Sequence, residues 1–216
     1  FSDAGTLNLG DGVTSLGALT NTVGTVVYDA SGTSSTSTST SNASTTESFS
    51  NNGSAPSGWA TEVVTDNSST GTPTITFLTS ADCSTSPTAG SYWVKFNSYN
   101  VGANDEARVY ESSSVDWTNV TSATASFDIQ TYNGLYSSSG EYAMLQYSIN
   151  GTSWTNIGSI SNYSTSTSSG TCVTRTKSFT STDFTSLYGE SAVYFAILFH
   201  SDYGYDIYVD NLIINT

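Results

Sequence analysis

Apolar and polar residues alternate with a period of two along much of this chain. The period is clearest in Ala143-Met144-Leu145-Gln146-Tyr147-Ser148-Ile149 and in Ala125-Ser126-Phe127-Asp128-Ile129. Successive side chains leave a strand on opposite faces, so this alternation predicts strands with one face in a core. Short β-branched and aromatic stretches of the same kind recur between turn residues. They predict strands at Glu47–Phe49, Trp59–Val64, Thr74–Leu78, Tyr92–Asn97, Glu106–Glu111, Ala123–Thr131, Tyr142–Ile149, Thr155–Ile157, Cys172–Phe179, Val193–His200 and Tyr205–Ile214. Many short strands at such spacing predict an all-β jelly-roll sandwich. The one helical prospect is a turn at Ser181–Tyr188, capped by Ser181 or Asp183.

The last strand breaks its own pattern. Asp210 and Asn211 interrupt the apolar run from Ile207 to Ile214. A carboxylate in a buried strand is costly unless it is neutralised or hydrogen-bonded. A bound cation is one solution, and backbone N–H groups at a strand bulge are another.

Before Glu47 the pattern changes. Leu7, Leu9, Val13, Leu16, Leu19, Val23 and Val26-Val27-Tyr28 predict two or three short strands within residues 1–30, with turns at Gly10-Asp11-Gly12 and near Asn21. This strand-forming extension is too thin to bury a core alone and must dock on its own domain or a neighbour's. Residues 31–46, SGTSSTSTSTSNASTT, read as a Ser/Thr-rich linker, flexible or O-glycosylated. Extended, such a linker reaches up to ~50 Å, enough to deliver residues 1–30 to another subunit. The expected organisation is therefore an arm (1–30), a linker (31–46) and a sandwich domain (47–216).

Composition narrows the setting. Four basic residues (Lys95, Arg108, Arg175, Lys177) face eighteen acids, a net charge of −14. Nucleic acid and anionic membrane surfaces are poor partners for such a chain. No apolar run approaches spanning length, so membrane insertion is not expected. Ser and Thr make up roughly a third of the residues, as in many secreted proteins. Cys83 and Cys172 are the only cysteines. Export to an oxidising compartment predicts that they are bridged, closing about 90 residues for roughly 4 kcal/mol, the alternative being two separate thiols. The chain opens on Phe1 rather than Met, which suits a secreted or cell-surface protein whose export signal has been removed.

Several short motifs then carry a resemblance. Glu47-Ser48-Phe49 followed by Pro56-Ser57-Gly58-Trp59, the block Ala89-Gly90-Ser91-Tyr92-Trp93 with Ala107-Arg108-Val109, Val115-Asp116-Trp117, the hairpin Leu145–Trp154, and Val193–Phe199 followed by Tyr208–Ile214 occur in this order. Together they resemble the MAM-like, cleaved-adhesin and choice-of-anchor jelly rolls of secreted bacterial proteins. The resemblance covers residues 47–216 and not the first 46. It implies a structural Ca²⁺ held by the first-strand Glu47 and the last-strand Asp210. Asn211, Asp105 and Asn104 are further candidate oxygen ligands, and Asn211 stands where the relatives usually have a second Asp.

Catalysis finds little footing. His200 is the only histidine, beside Ser201 and Asp202, but a triad needs convergence in space and no Gly-x-Ser-x-Gly elbow is present. No enzyme is expected. Fourteen Tyr and four Trp supply stacking faces for sugars, with Tyr203, Tyr205 and Tyr132 as candidate glycan contacts and Trp117 and Trp154 in turn-like contexts. Asn42, Asn52, Asn67, Asn119, Asn150 and Asn162 head N-glycosylation sequons. The leading expectation is an extracellular structural or adhesive protein. It would self-assemble into a homopolymeric surface filament, each arm donating a strand to a neighbour's sheet edge. The alternative is a carbohydrate-binding or adhesin module.

Overall fold

Two antiparallel sheets lie face to face, and among the described residues the main cluster of buried apolar side chains fills the space between them. The structure is a computed structural model and describes residues 25–30, 33–38, 44–51, 53–67, 69–82, 84–132, 140–158 and 172–216. The larger sheet runs in the order β11 (Cys172–Phe179), β8 (Thr124–Tyr132), β13 (Ile207–Asn215), β6 (Trp93–Phe96), β5 (Ile75–Leu78). A sixth strand, β3 (Thr45–Glu47), pairs with the C-terminal half of β13, beyond the stretch that pairs with β6. The smaller sheet runs β10 (Thr155–Asn156), β9 (Tyr142–Ser148), β12 (Tyr194–His200), β7 (Glu106–Glu111), β4 (Trp59–Thr65). This is the all-β jelly-roll sandwich expected from the alternation, with strand ends moved by a residue or two.

The core follows the period-two rule. Phe127 and Ile129 of β8, Val109 of β7, Leu145 of β9 and Phe195, Ile197 and Phe199 of β12 meet between the sheets, all at most 3% exposed. Phe96 stacks on Phe199 with ring centroids 5.6 Å apart. Fully burying each such side chain stabilises by roughly 1.5–3 kcal/mol. Trp117, read from the sequence as lying in a turn-like context, is fully buried against Phe184, Tyr188 and Phe195. The short bridge of Val115 to Val193 and the bond from Trp117 N–H to the Glu190 carbonyl hold its segment against the domain. The helical prospect at 181–188 is a 3-10 turn, Ser181–Phe184, capped by Thr180 rather than Ser181. Asp183 completes the box by accepting the Thr180 N–H at 2.8 Å.

The N-terminal part forms its own unit, residues 1–42. Within it β1 (Thr25–Ala30) pairs antiparallel with β2 (Thr33–Thr38) in a continuous register from Thr25↔Thr38 to Ala30↔Thr33. Residues 33–38, expected within the linker, are thus the second strand of a hairpin. Threonine is β-branched and favours strands, and the partner strand satisfies its backbone groups. The strands expected before residue 25 lie outside the described residues.

A buried acid ties the sheets at one margin. Glu111 ends β7 on its core face and is 6% exposed. Its carboxylate accepts the Phe195 N–H at 2.9 Å and the Thr45 hydroxyl at 3.3 Å, joining β12 to β3. Burial pushes its pKa up to about 7, and the neighbouring Glu47 charge adds to the rise. A raised folded pKa means stability present below about pH 4.5 and lost as pH rises through about 7. The shift corresponds to about 3 kcal/mol at most. Glu111→Gln should therefore flatten the fall in stability between pH 5 and pH 8, read by urea denaturation at both values. A variant as pH-sensitive as the wild type would show that Glu111 does not titrate in this window.

Candidate functional site

The outward positions of the smaller sheet carry an unusual set of side chains. Alternation puts Glu106, Arg108 and Tyr110 of β7 on this face, with Tyr142, Met144, Gln146 and Ser148 of β9 and Tyr194, Ala196, Leu198 and His200 of β12. Glu62 of β4 stands opposite Arg108, and Asn156 of β10 opposite Gln146.

One hydrogen-bonded ribbon crosses the sheet from edge to edge. The Gln146 amide donates to Asn156 Oδ1 at 2.7 Å, and Arg108 Nε donates to Gln146 Oε1 at 2.8 Å. The Arg108 guanidinium also pairs with Glu62 on the edge strand. Arg108 and Gln146 sit on strands either side of β12, so the arginine reaches across the central strand. On β12 the residue opposite Arg108 is Leu198 and the one opposite Gln146 is Ala196, so the contact runs diagonally across that strand. Trp154, from the β9–β10 hairpin, lies over the guanidinium with 4.8 Å from ring centroid to Cζ, and meets Tyr110 edge-on at 5.8 Å. Burial lowers the Arg108 pKa, and the charges of Glu62 and Glu106 oppose that shift.

A second group lies at the loop end of the same face. Tyr142 and His200 stack with centroids 4.6 Å apart and planes within 1° of parallel. His200 Nδ1 is 2.9 Å from Glu106 Oε1. The hydrogen bond with His200 holds the Glu106 carboxyl below its ordinary range, while burial, aided by Glu106, pushes the Tyr142 phenol up to about 12. Ser201 does not complete a triad: its hydroxyl engages Ser98 at 2.9 Å while His200 engages Glu106.

The residues expected to bind a cation occupy different places. Asp210 is fully buried; its Oδ2 accepts the Ala89 N–H at 2.7 Å and the Thr88 hydroxyl at 3.1 Å, while Oδ1 has no hydrogen-bond partner among the described residues. Burial pushes its pKa up to about 6 against those hydrogen bonds. Glu47 accepts the Phe49 N–H at 2.6 Å and lies near Glu111. Both Asp105 oxygens are engaged, accepting the N–H groups of Asn67 at 2.7 Å and Gly102 at 2.8 Å. Asn211 donates its amide to Asp128 at 3.1 Å. Among the described residues no three His, Cys, Asp or Glu form a metal cluster.

The other sequence candidates divide similarly. Tyr205 stacks on Tyr99, and Tyr203 is 62% exposed in the loop between β12 and β13. Tyr132 ends β8. Asn67, Asn119 and Asn150 are exposed, whereas Asn42, Asn52 and Asn162 lie outside the described residues. Cys172 is disulfide-bonded, and Cys83 lies outside the described residues. Sequence reasoning gave Gln146, Asn156 and Arg108 no role in binding, and offered Trp154 only as one of several stacking aromatics in turn-like contexts. The available signal was the parity of Glu106, Arg108 and Tyr110, which places all three on the face away from Ala107 and Val109.

The chain is similar to the K3 cleaved adhesin domain of Lys-gingipain from Porphyromonas gingivalis w83, at 15% identity and TM-score 0.53, over 79% of this chain and 97% of that one. It is similar to the K2 cleaved adhesin domain of Lys-gingipain at 19% identity and TM-score 0.52, over 81% of this chain and 98% of that one. A further likeness is to CBM28, a carbohydrate-binding module specific for non-crystalline cellulose, at 14% identity and TM-score 0.46, over 79% of this chain and 93% of that one. The cleaved-adhesin likenesses show the fold. No family model matches the chain, and no curated protein matches it.

Proposed function

We propose that this chain is a non-catalytic, adhesin-type carbohydrate-binding module working outside the cell, and that the outer face of the smaller sheet takes the glycan. One observation carries the reading: the ribbon Asn156–Gln146–Arg108–Glu62, flanked by Trp154 and Tyr110 on one side and by Tyr142 and His200 on the other. Sugars offer hydroxyls in fixed directions and C–H faces. Planar amide and guanidinium groups answer the first, and aromatic rings answer the second. Each polar group is held by its neighbour, so little ordering entropy remains to be lost on binding. The disulfide of Cys172, which we assign to Cys83, suits an oxidising extracellular setting. The filament reading depends on an arm whose residues 1–24 lie outside the described ones, and the binding-module reading takes precedence.

Trp154→Ala should weaken binding to an oligosaccharide selected on a glycan array by at least ~10-fold, about 1.4 kcal/mol, with the fold intact by circular dichroism. Arg108→Lys keeps the charge and loses the planar fork, and should weaken the same interaction. Wild-type protein that captures no glycan would refute the proposal.

A structural Ca²⁺ at Asp210 belongs to the same proposal. Asp210 Oδ1 is a buried carboxylate oxygen without a hydrogen-bond donor among the described residues, which a hard cation would satisfy. The serine oxygens of Ser48 and Ser50 gather around Gly90, next to the Ala89 that bonds Asp210. These, rather than Glu47, are the companions we assign to it. The ion would supply charge neutralisation and a link between the opening segment and β13. Chelation should lower the melting temperature by roughly 5 °C or more, and added Ca²⁺ should restore it. Asp210→Asn should melt identically with and without the ion. A wild type indifferent to chelator would exclude the cation.

A further inference from the structure

We propose a second glycan contact, separate from the sheet face: a two-ring platform of Tyr99 and Tyr205 that takes the C–H face of a neutral pyranose. It rests on the carbohydrate-binding reading and extends it to the end of the sandwich.

The two rings lie 6.1 Å apart and within 16° of parallel. Tyr99 is nonetheless 69% exposed, so Tyr205 backs it while much of its surface meets water. The mount is stiff. Tyr99 occupies the 3-10 turn Ser98–Asn100, and its N–H donates to Asp206 Oδ1 at 3.1 Å. Asp206 is held in turn by Lys95 at 2.5 Å. Below, Asn104 N–H donates to the Ser201 carbonyl at 2.8 Å, and Ser201 N–H to the Asp105 carbonyl at 3.0 Å, knitting the two loops together. Tyr203 stands in the same loop with φ +62°, a left-handed conformation uncommon for a tyrosine.

The surroundings select the ligand class. The large exposed apolar side chains described in these two loops are Tyr99 and Tyr203, without the aliphatic residues of a protein-binding patch. The local charges are Asp105, Asp202, Asp206 and Glu141 against Lys95, so anionic ligands are repelled. An aromatic platform in an acidic, hydroxyl-rich setting fits a neutral sugar, whose C–H face stacks while its rim meets exposed amides such as Asn100 and Asn104.

The test titrates the full chain with neutral cello-, xylo-, manno- and galacto-oligosaccharides and with oligogalacturonate as the charged control, reading the aromatic NMR signals of tyrosine. Tyr99 and Tyr205 signals should shift with a neutral sugar and not with the uronate. Tyr99→Ala should weaken that event at least tenfold, Tyr99→Phe should restore it, and Trp154→Ala should leave it in place. Should every neutral sugar bind through Trp154 alone, with Tyr99→Ala unchanged, the platform is refuted and the sheet-face reading stands. Should no sugar bind at all, both fall.

Discussion

The fold depends on one extra residue in its last strand. Between Val209 and Ile214, β13 uses one more residue than β8 does between Ile129 and Ala125. Without it, strict alternation from Ile207 and Val209 would send Leu212 and Ile214 to the outer face. With it, all four face the core. The residue that absorbs the shift is Asn211, at φ +54°. Asparagine tolerates the left-handed region better than aspartate's bulkier neighbours in this strand, Ile and Leu, would. The shift is also what allows one strand to serve two partners, β6 before it and β3 after it. The opening and closing strands of the sandwich are joined there.

Just before the bulge the sheet carries an electrostatic conflict. Asp210, next to core-facing Val209, lies on the outer face in register with Asp128, two acids directly opposite one another. Like charges so placed destabilise a sheet. The structure answers with donors from several sources: Asn211 and Thr176 to Asp128, Thr88 and Ala89 to Asp210. The last two come from the segment that crosses this face between β5 and β6. Tyr208 donates to Asp82 in the same segment, and Thr85 donates to Gln130 at 2.6 Å. The larger sheet's outer face is therefore committed to holding its own chain, and Trp93 and Tyr208 are buried beneath it. The smaller sheet's outer face has no comparable covering bond among those described. Function is more available there for that reason.

The sequence was legible where one physical signal dominated. Alternation located the strands of residues 47–216, because burying one face is the strongest constraint on a sandwich strand. It also carried an unread message: once Val109 is assigned inward, Arg108 must point outward, although which groups it would meet depended on pairing between strands distant in sequence. Glu62, Gln146 and Asn156 come from three such strands, and no local pattern brings them together. Trp117 misled because a tryptophan flanked by Asp116 and Thr118 reads as a turn, whereas the bond from its N–H to Glu190 draws it into the core. Asp210 was recognised as anomalous from its apolar neighbours. The left-handed backbone that Asn211 adopts, at φ +54°, left no mark in the apolar and polar pattern.

Two ways of meeting a buried charge are visible on the two sheets. Asp210 is met from above, by the Thr88 hydroxyl and the Ala89 N–H of the covering segment, while Asp128 is met by Asn211 and Thr176 of the flanking strands. Arg108 is instead met laterally, by Glu62 and Gln146 in the plane of the sheet, with an aromatic ring above it. Lateral bonding fixes a planar group in orientation and leaves its edges toward the rim, where Trp154 and Tyr110 are only partly buried. A charge held from above is sealed into the fold, whereas Arg108 is pinned from the side beneath Trp154, and it is on that arrangement that the proposed glycan face rests.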